Sequence, residues 1–310
     1  SAASDVYKRQ LYETVKPWQG NDLSLGIDFT HWGGKAWNTM KDGSPEQSVV
    51  DTHVNELAGY VMMQQDFLDR MISVNGGVRL EHSSQFGNEW VPQAGFIFRP
   101  ISTGHLKFSY GKGFRSPNLR ELYMYPPHNP DLKPEYLNNY EVSLRKYFLD
   151  SRLNVGLALY YINGKDMIQT IRVDGRPLNV NTGAFINKGF EIDAAFDIDS
   201  RWTVDANYAY LHTNAHLIAA PKNKLFAEVI FRPGNWDFSL ESLSIWGLLT
   251  ENSKENYSLL NARIAYRFDI PSFPVNLFVK ADNITNKKYE INYGFPMPGT
   301  TVMAGFDVKF

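Results

Sequence analysis

The last eleven residues constrain the fold most. Thr300, Val302, Ala304, Phe306, Val308 and Phe310 alternate with Thr301, Met303, Gly305, Asp307 and Lys309. Side chains two apart along an extended strand share a face, so one face here is almost wholly apolar and the other mostly polar. At the edge of a soluble sheet, such a strand ending on a bare Phe would leave unpaired backbone groups beside a sticky surface. Stitched into a closed sheet whose apolar face meets lipid, the same strand has all its hydrogen bonds satisfied.

Composition points the same way. Aromatic residues make up 14% of the 310, with 17 Tyr, 20 Phe and 7 Trp, an excess that suits aromatic girdles at two membrane interfaces. No run approaches the roughly 18 consecutive apolar residues of a membrane helix, so any span must be built from strands. The net charge of −2 argues against nucleic acid, which requires a concentrated basic surface. With no cysteine, disulfides, thiolate metal sites and Cys nucleophiles are excluded. Residues 1–10 carry neither an initiator Met nor the segments of a signal peptide. They resemble the translated adapter ends of metagenomic reading frames and are read as a non-native leader, ahead of a C-terminal piece spanning 11–310.

Period-two alternation recurs along the chain. Leu153, Val155, Leu157, Leu159 and Tyr161 oppose Asn154, Gly156, Ala158 and Tyr160. Phe190, Ile192, Ala194, Phe196 and Ile198 oppose Glu191, Asp193, Ala195 and Asp197, and Trp202 to Tyr210 repeats the pattern. A β-sandwich also alternates, so the connections have to decide. Short turns are expected near 17–22, 68–71, 100–104, 149–152, 199–201, 233–235 and 270–274. Longer polar segments lie between them, near 31–48, 83–88, 114–136, 165–185, 213–221, 249–256 and 285–299. Strict alternation of short and long is the transmembrane-barrel pattern of tight periplasmic turns and longer extracellular loops, and a Greek-key sandwich would not keep it. The expected fold is therefore all-β, an antiparallel transmembrane barrel with about 15 strands of roughly 9–11 residues each. Bacterial barrels close with an even number, so an odd count implies further strands elsewhere.

One loop carries a family resemblance. After Leu106, Phe108 and Tyr110 comes Gly113-Phe-Arg-Ser-Pro-Asn-Leu-Arg-Glu-Leu-Tyr123, and then Asn129-Pro-Asp-Leu-Lys-Pro-Glu135. The two segments resemble the paired boxes of TonB-dependent outer-membrane receptors, here Phe114, Arg115 and Pro117, then Asn129, Pro130, Leu132, Pro134 and Glu135. Ser116 and Asp131 are mild departures from the family's Ala and Asn. Asn187-Lys-Gly-Phe-Glu191 and Asp282-Asn-Ile-Thr-Asn-Lys-Lys-Tyr289 also resemble family strands, and Gly305, Val308 and Phe310 match the C-terminal barrel-assembly signal. The resemblance implies a 22-stranded barrel plugged by an N-terminal domain, of which this chain would hold about strands 8 to 22 without the plug. It also implies TonB–ExbB–ExbD as energy source, outer-membrane lipid and lipopolysaccharide as surroundings, and the barrel-assembly machinery as a folding partner.

Site candidates follow from chemistry in the long loops. The five prolines 117, 126, 127, 130 and 134 stiffen the box loop, where Arg115 with Glu121, and Lys133 with Glu135, have complementary charges. His128 stands between the boxes, where some haem receptors of this family carry an iron-ligating histidine; a solvated loop histidine is the alternative. Tyr123 and Tyr125 nearby are read as ligand-binding candidates that would supply phenolate or stacking. Among loop aromatics, Trp32, Trp37 and Tyr257 read as loop or girdle residues, and Tyr289, Tyr293 and Phe295 as a cup for a large, partly apolar chelate. His212 and His216 have a four-residue spacing but no helix to present them, so no metal site, cofactor or catalytic residue is assigned. Gly-x-Ser-x-Gly, Walker and dinucleotide fingerprints are missing. The expected function is TonB-dependent uptake of a scarce chelate such as an iron–siderophore or cobalamin. Haem uptake, a passive porin-like barrel and glycan uptake with a surface lipoprotein are the alternatives.

Overall fold

The computed structural model describes residues 2–38, 47–124, 126–269 and 273–308. Lys309, Phe310, Tyr125 and most of the first long connection fall outside the described residues. The strands are β1 (Ala2–Val15), β2 (Asn21–Asn38), β3 (Gln47–Phe67), β4 (Ile72–Ser83), β5 (Gly87–Ile101) and β6 (Gly104–Arg115). A one-turn helix, α1 (Leu119–Tyr123), precedes β7 (Glu135–Phe148) and β8 (Leu153–Lys165). Then come β9 (Ile168–Val173), β10 (Arg176–Asn181), β11 (Phe185–Asp197), β12 (Trp202–Thr213), β13 (Asn223–Phe231) and β14 (Trp236–Leu249). β15 (Lys254–Phe268), β16 (Val275–Asp282) and β17 (Thr301–Val308) complete the chain. Fifteen strands form one sheet in chain order, with β8 followed directly by β11, while β9 and β10 pair only with each other.

The sheet thus contains the number of strands expected, and β9–β10 is an additional hairpin inside what reads as a polar loop. Its turn is Asp174-Gly175, both at positive φ, the two-residue Asp-Gly hairpin turn. Two expected long segments are short: β4 runs to Ser83 and β5 starts at Gly87, and only residues 250–253 separate β14 from β15. Polar composition at those strand ends mimics a loop, yet cross-strand pairing carries on to the tips. Trp32, Trp37 and Tyr257, expected in loops, lie within β2 and β15 for the same reason.

Two compact units are distinguishable, Ser1–Pro100 with Lys107–Glu141 and Tyr161–Ile186, and Ile101–Leu106 with Val142–Tyr160 and Asn187–Phe310. In the first, β1 pairs with β2, β2 with β3, β3 with β4 and β4 with β5, all antiparallel. Its polar face holds Arg79 bonded to both Asp28 and Glu81.

In the second unit the register sorts the side chains into rows. One face carries Phe190, Tyr210, Asn223, Trp246 and Asn256 in line across five strands. Toward the short turns the following rows read Ile192, Tyr208, Leu225, Ser244 and Ser258, and later Phe196, Val204, Val229, Leu240 and Ala262. At the turns stand Trp202, Phe231, Phe238, Trp236, Tyr266 and Phe268, successive rings 4.2–6.2 Å apart. An apolar band between two aromatic rows is the lipid-facing surface of a membrane barrel. The opposite face carries Asp205, Glu228, Glu241 and Asn261 in one row and the Arg145–Asp193 ion pair at 3.0 Å, as a wet interior requires. Little apolar surface is buried within the protein itself. The buried hydrophobics are confined to a few positions, among them Val54, Leu122 and Leu132, and Ile245, Leu248 and Tyr257.

Candidate functional site

The box loop between β6 and β7 is built around Arg115, at the end of β6. Its guanidinium reaches Glu121 at 2.9 Å and Glu135 at 2.7 Å, so one cation ties the first box to the second. Glu135 is therefore engaged by Arg115 rather than by Lys133. Asn118 caps α1: its side chain accepts from the Glu121 amide, and the Glu121 carboxylate accepts from the Asn118 amide, a capping box. Burial pushes the Glu121 carboxyl up, but the Arg115 guanidinium and the Asn118 amide outweigh it and hold it below the usual carboxylate range. Pro117, Leu122, Leu132 and Pro134 are buried under the loop, anchoring both boxes by apolar contact.

The β9–β10 hairpin sits on this bracket. Asn179 donates its backbone N–H to the Pro127 carbonyl at 2.6 Å, and its side chain donates to the Glu121 carbonyl at 3.4 Å. Asn129 returns a bond from Nδ2 to the Asn179 carbonyl at 2.8 Å. Asn181 accepts from the Lys133 amide at 2.8 Å and donates to the Lys133 and Asp166 carbonyls at 2.8 and 2.7 Å. Glu135 accepts from the Ile168 amide at 2.9 Å. Neither asparagine stands out in the sequence; the Asp174-Gly175 turn was the signal that a hairpin, and hence a seat for it, was there.

The other candidates divide. Tyr123 is half-buried and its hydroxyl accepts from Gln85 at 3.0 Å, a contact within the loop assembly. His128 is half-buried, and its Nδ1 is buried without a hydrogen-bond partner. In the β16–β17 connection, Tyr289 packs on Tyr257 with ring centroids 4.3 Å apart, against the Ile245–Leu248 cluster. Tyr293 and Phe295 are 53% and 72% exposed at the tip. Asn283 organises this connection: it donates to the Lys287 and Pro298 carbonyls and accepts from the Lys287 amide.

Gly305 of the assembly signal has a packing reason. A Cβ there would lie 2.6 Å from Cζ of Phe278, its cross-strand partner, whose ring is in turn held 5.1 Å from the Arg263 guanidinium. Val308 pairs with Val275. Among the described residues, no group of three or more His, Asp or Glu is placed to hold a metal ion.

Comparison with known proteins fits this architecture. Residues 3–284 match the family described as TonB dependent receptor-like, beta-barrel. The chain is 25% identical over 146 residues to the vitamin B12 transporter BtuB of Vibrio vulnificus strain YJ016, covering 47% of this chain and 22% of that protein. It is 27% identical over 195 residues to an iron-regulated outer membrane virulence protein of Vibrio cholerae serotype O1, covering 59% and 28%. In structure it resembles the copper transporter OprC, with a TM-score of 0.80, 18% identity and coverage of 100% of this chain and 57% of that one. A ferric enterobactin receptor of Pseudomonas aeruginosa aligns with a TM-score of 0.77 at 14% identity, over 98% and 54%. The chain thus matches about a quarter of the length of those curated relatives and a little over half of those solved chains. With the strand order, the outward apolar band and the two boxes in place, it is an outer-membrane β-barrel chain of a Gram-negative bacterium and belongs to the TonB-dependent receptor family.

Proposed function

We propose that the chain is the C-terminal barrel portion, over 11–310, of a receptor that imports a scarce metal chelate with energy from TonB–ExbB–ExbD. No chemistry is done on the cargo: the mechanism is recognition by the extracellular loops followed by gating. The observation that carries this reading is the box bracket, which holds the β9–β10 hairpin as a preformed element above the sheet, so that less ordering entropy is lost when a ligand binds. The names of the relatives, which include vitamin B12, iron-regulated and copper proteins, favour an iron–siderophore or cobalamin. Tyr293 and Phe295, exposed on the last long connection, are the aromatics best placed to cup it.

The test is uptake of cyanocobalamin and of a panel of ferric siderophores by the complete reading frame, in receptor-null cells with and without TonB. Uptake that persists without TonB would leave a passive barrel. The 310-residue chain alone is expected to give no energised uptake. Haem is a second reading, favoured by the unpartnered Nδ1 of His128. An unchanged Soret shift on titrating His128→Ala with haem ends it.

A further inference from the structure

The inner face of the second unit breaks its own polarity rule at one place. Ile245 and Tyr257 stand opposite each other, one residue out of phase with the outward pair Trp246 and Asn256, so both face the wet side. A barrel interior is ordinarily polar. Yet Ile245, Leu248 and Tyr257 are buried together, with Leu243 and Leu259 packed beside them. The β16–β17 connection covers them, its Tyr289 lying on the Tyr257 ring. The connection is therefore folded inward onto the wall, and the apolar patch is its seat.

A second fixing point is polar. Asn283 is 4% exposed and takes a left-handed φ of 50°, which Asn tolerates better than most residues. Its backbone N–H donates to Asn261 Oδ1 at 2.8 Å, and its carbonyl accepts from the Thr300 hydroxyl at 2.8 Å. With its side chain already bonded to Lys287 and Pro298, this one buried residue clamps both ends of the connection. Asn286 adds a bond, accepting from the Thr300 amide at 3.2 Å. Above the clamp the two arms keep pairing: the Met297 N–H reaches the Tyr289 carbonyl at 3.0 Å, and the Gly294 N–H reaches Glu290 Oε2 at 3.0 Å. The tip closes with a bond from the Phe295 N–H to the Asn292 carbonyl at 3.1 Å. Tyr293 and Phe295 are its exposed rings.

Joining two antiparallel strands takes as few as two residues, whereas this connection runs from 283 to 300. The extra length is spent on a clamped neck, a seated stalk and two rings held out in the open. We propose that Asn283 is a positioning residue for the cargo: it fixes Tyr293 and Phe295 as a preformed surface for the apolar rings of a chelate. Side chains and a loop already ordered lose little further freedom when the cargo packs on them. This inference rests on the uptake reading and adds to it a residue that sets affinity without touching what is bound.

The experiment uses the receptor expressed from its complete reading frame, with cyanocobalamin and a ferric tris-catecholate as probes, and reads Kd and maximal uptake rate separately. Asn283→Gly keeps the left-handed backbone and removes the side-chain bonds. For the probe that the parent binds, it should raise Kd on the order of tenfold and leave the maximal rate unchanged. Asn283→Asp, which retains the acceptor for the Lys287 amide, should recover part of the loss. The decisive arm is the tip: in the background Tyr293→Ala, Phe295→Ala, adding Asn283→Gly should cost nothing further, because no rings are left to position. An additive loss overturns the proposal and assigns Asn283 to folding, and so does a parental Kd in Asn283→Gly. If Asn283→Gly does not reach the outer membrane, Asn286→Gly, which drops only the Thr300 bond, takes its place under the same criteria. Binding of neither probe by the parent removes the uptake reading itself and, with it, the cargo that Asn283 would serve.

Discussion

Gly305 shows how much a single hydrogen can decide. Replacing it with Val forces methyl groups into the Phe278 ring, which the Arg263 guanidinium also approaches, 5.1 Å from its centroid. Overpacking of this kind costs about 1–3 kcal/mol, so Gly305→Val should lower the urea midpoint of the lipid-embedded protein, and adding Phe278→Ala should restore most of it. Glu121 makes a pH prediction. Its folded pKa is depressed, so its contribution to loop order is present above the ordinary carboxylate value of about 4.3 and is lost as pH falls through the lower, folded value. Amide exchange of 118–135, corrected for intrinsic rates, should be flat from neutral pH to about 5 and rise below about 4; protection unchanged at pH 3 would show that Arg115–Glu121 does not hold the loop. The sequence made the pairing of Arg115 with Glu121 legible, because both charges sit in one short motif. It did not reveal that Glu135 joins the same cation, since that contact depends on where β7 begins.

Among elements, the hairpin β9–β10 was the one that polarity concealed. Gln169, Thr170, Arg172 and Asn179 dilute the alternation, and with only six residues per strand the apolar signal is too short to see. Its seat, by contrast, rests on backbone groups, which leave no mark in composition. Asn181→Ala strands the Lys133 amide and two carbonyls that it now satisfies. Leaving such groups unpaired costs about 1–3 kcal/mol, so limited proteolysis within 168–181 should quicken several-fold while the strands of the sheet stay resistant. Unaltered cleavage would mean that the bonds of Asn179, Asn129 and Glu135 suffice to hold the seat. The long strands were easier to read than the loops between them, because lipid on one face and water on the other impose period two for their whole length.

At the scale of the whole molecule, sidedness is the property that matters. Leu240 lies in the outward band, between Val229 and Ala262 and one row in from Phe238, whereas its chain neighbour Ser239 faces inward opposite Arg263. Leu240→Arg is expected to cost about 1–3 kcal/mol in unfolding from lipid bilayers, and Ser239→Arg much less; equal costs would contradict the assignment of faces. The strand order has a separate consequence. Every strand of the large sheet neighbours the strands adjacent to it in the chain, apart from the inserted hairpin between β8 and β11. No pairing requires a distant segment to be found first, so the search entropy of each step is that of closing one connection. Assembly can proceed like a zip, one hairpin templating the next. By the same wiring, a gene can lengthen or shorten such a wall by duplicating or deleting two strands, without rewriting any contact elsewhere in the sheet.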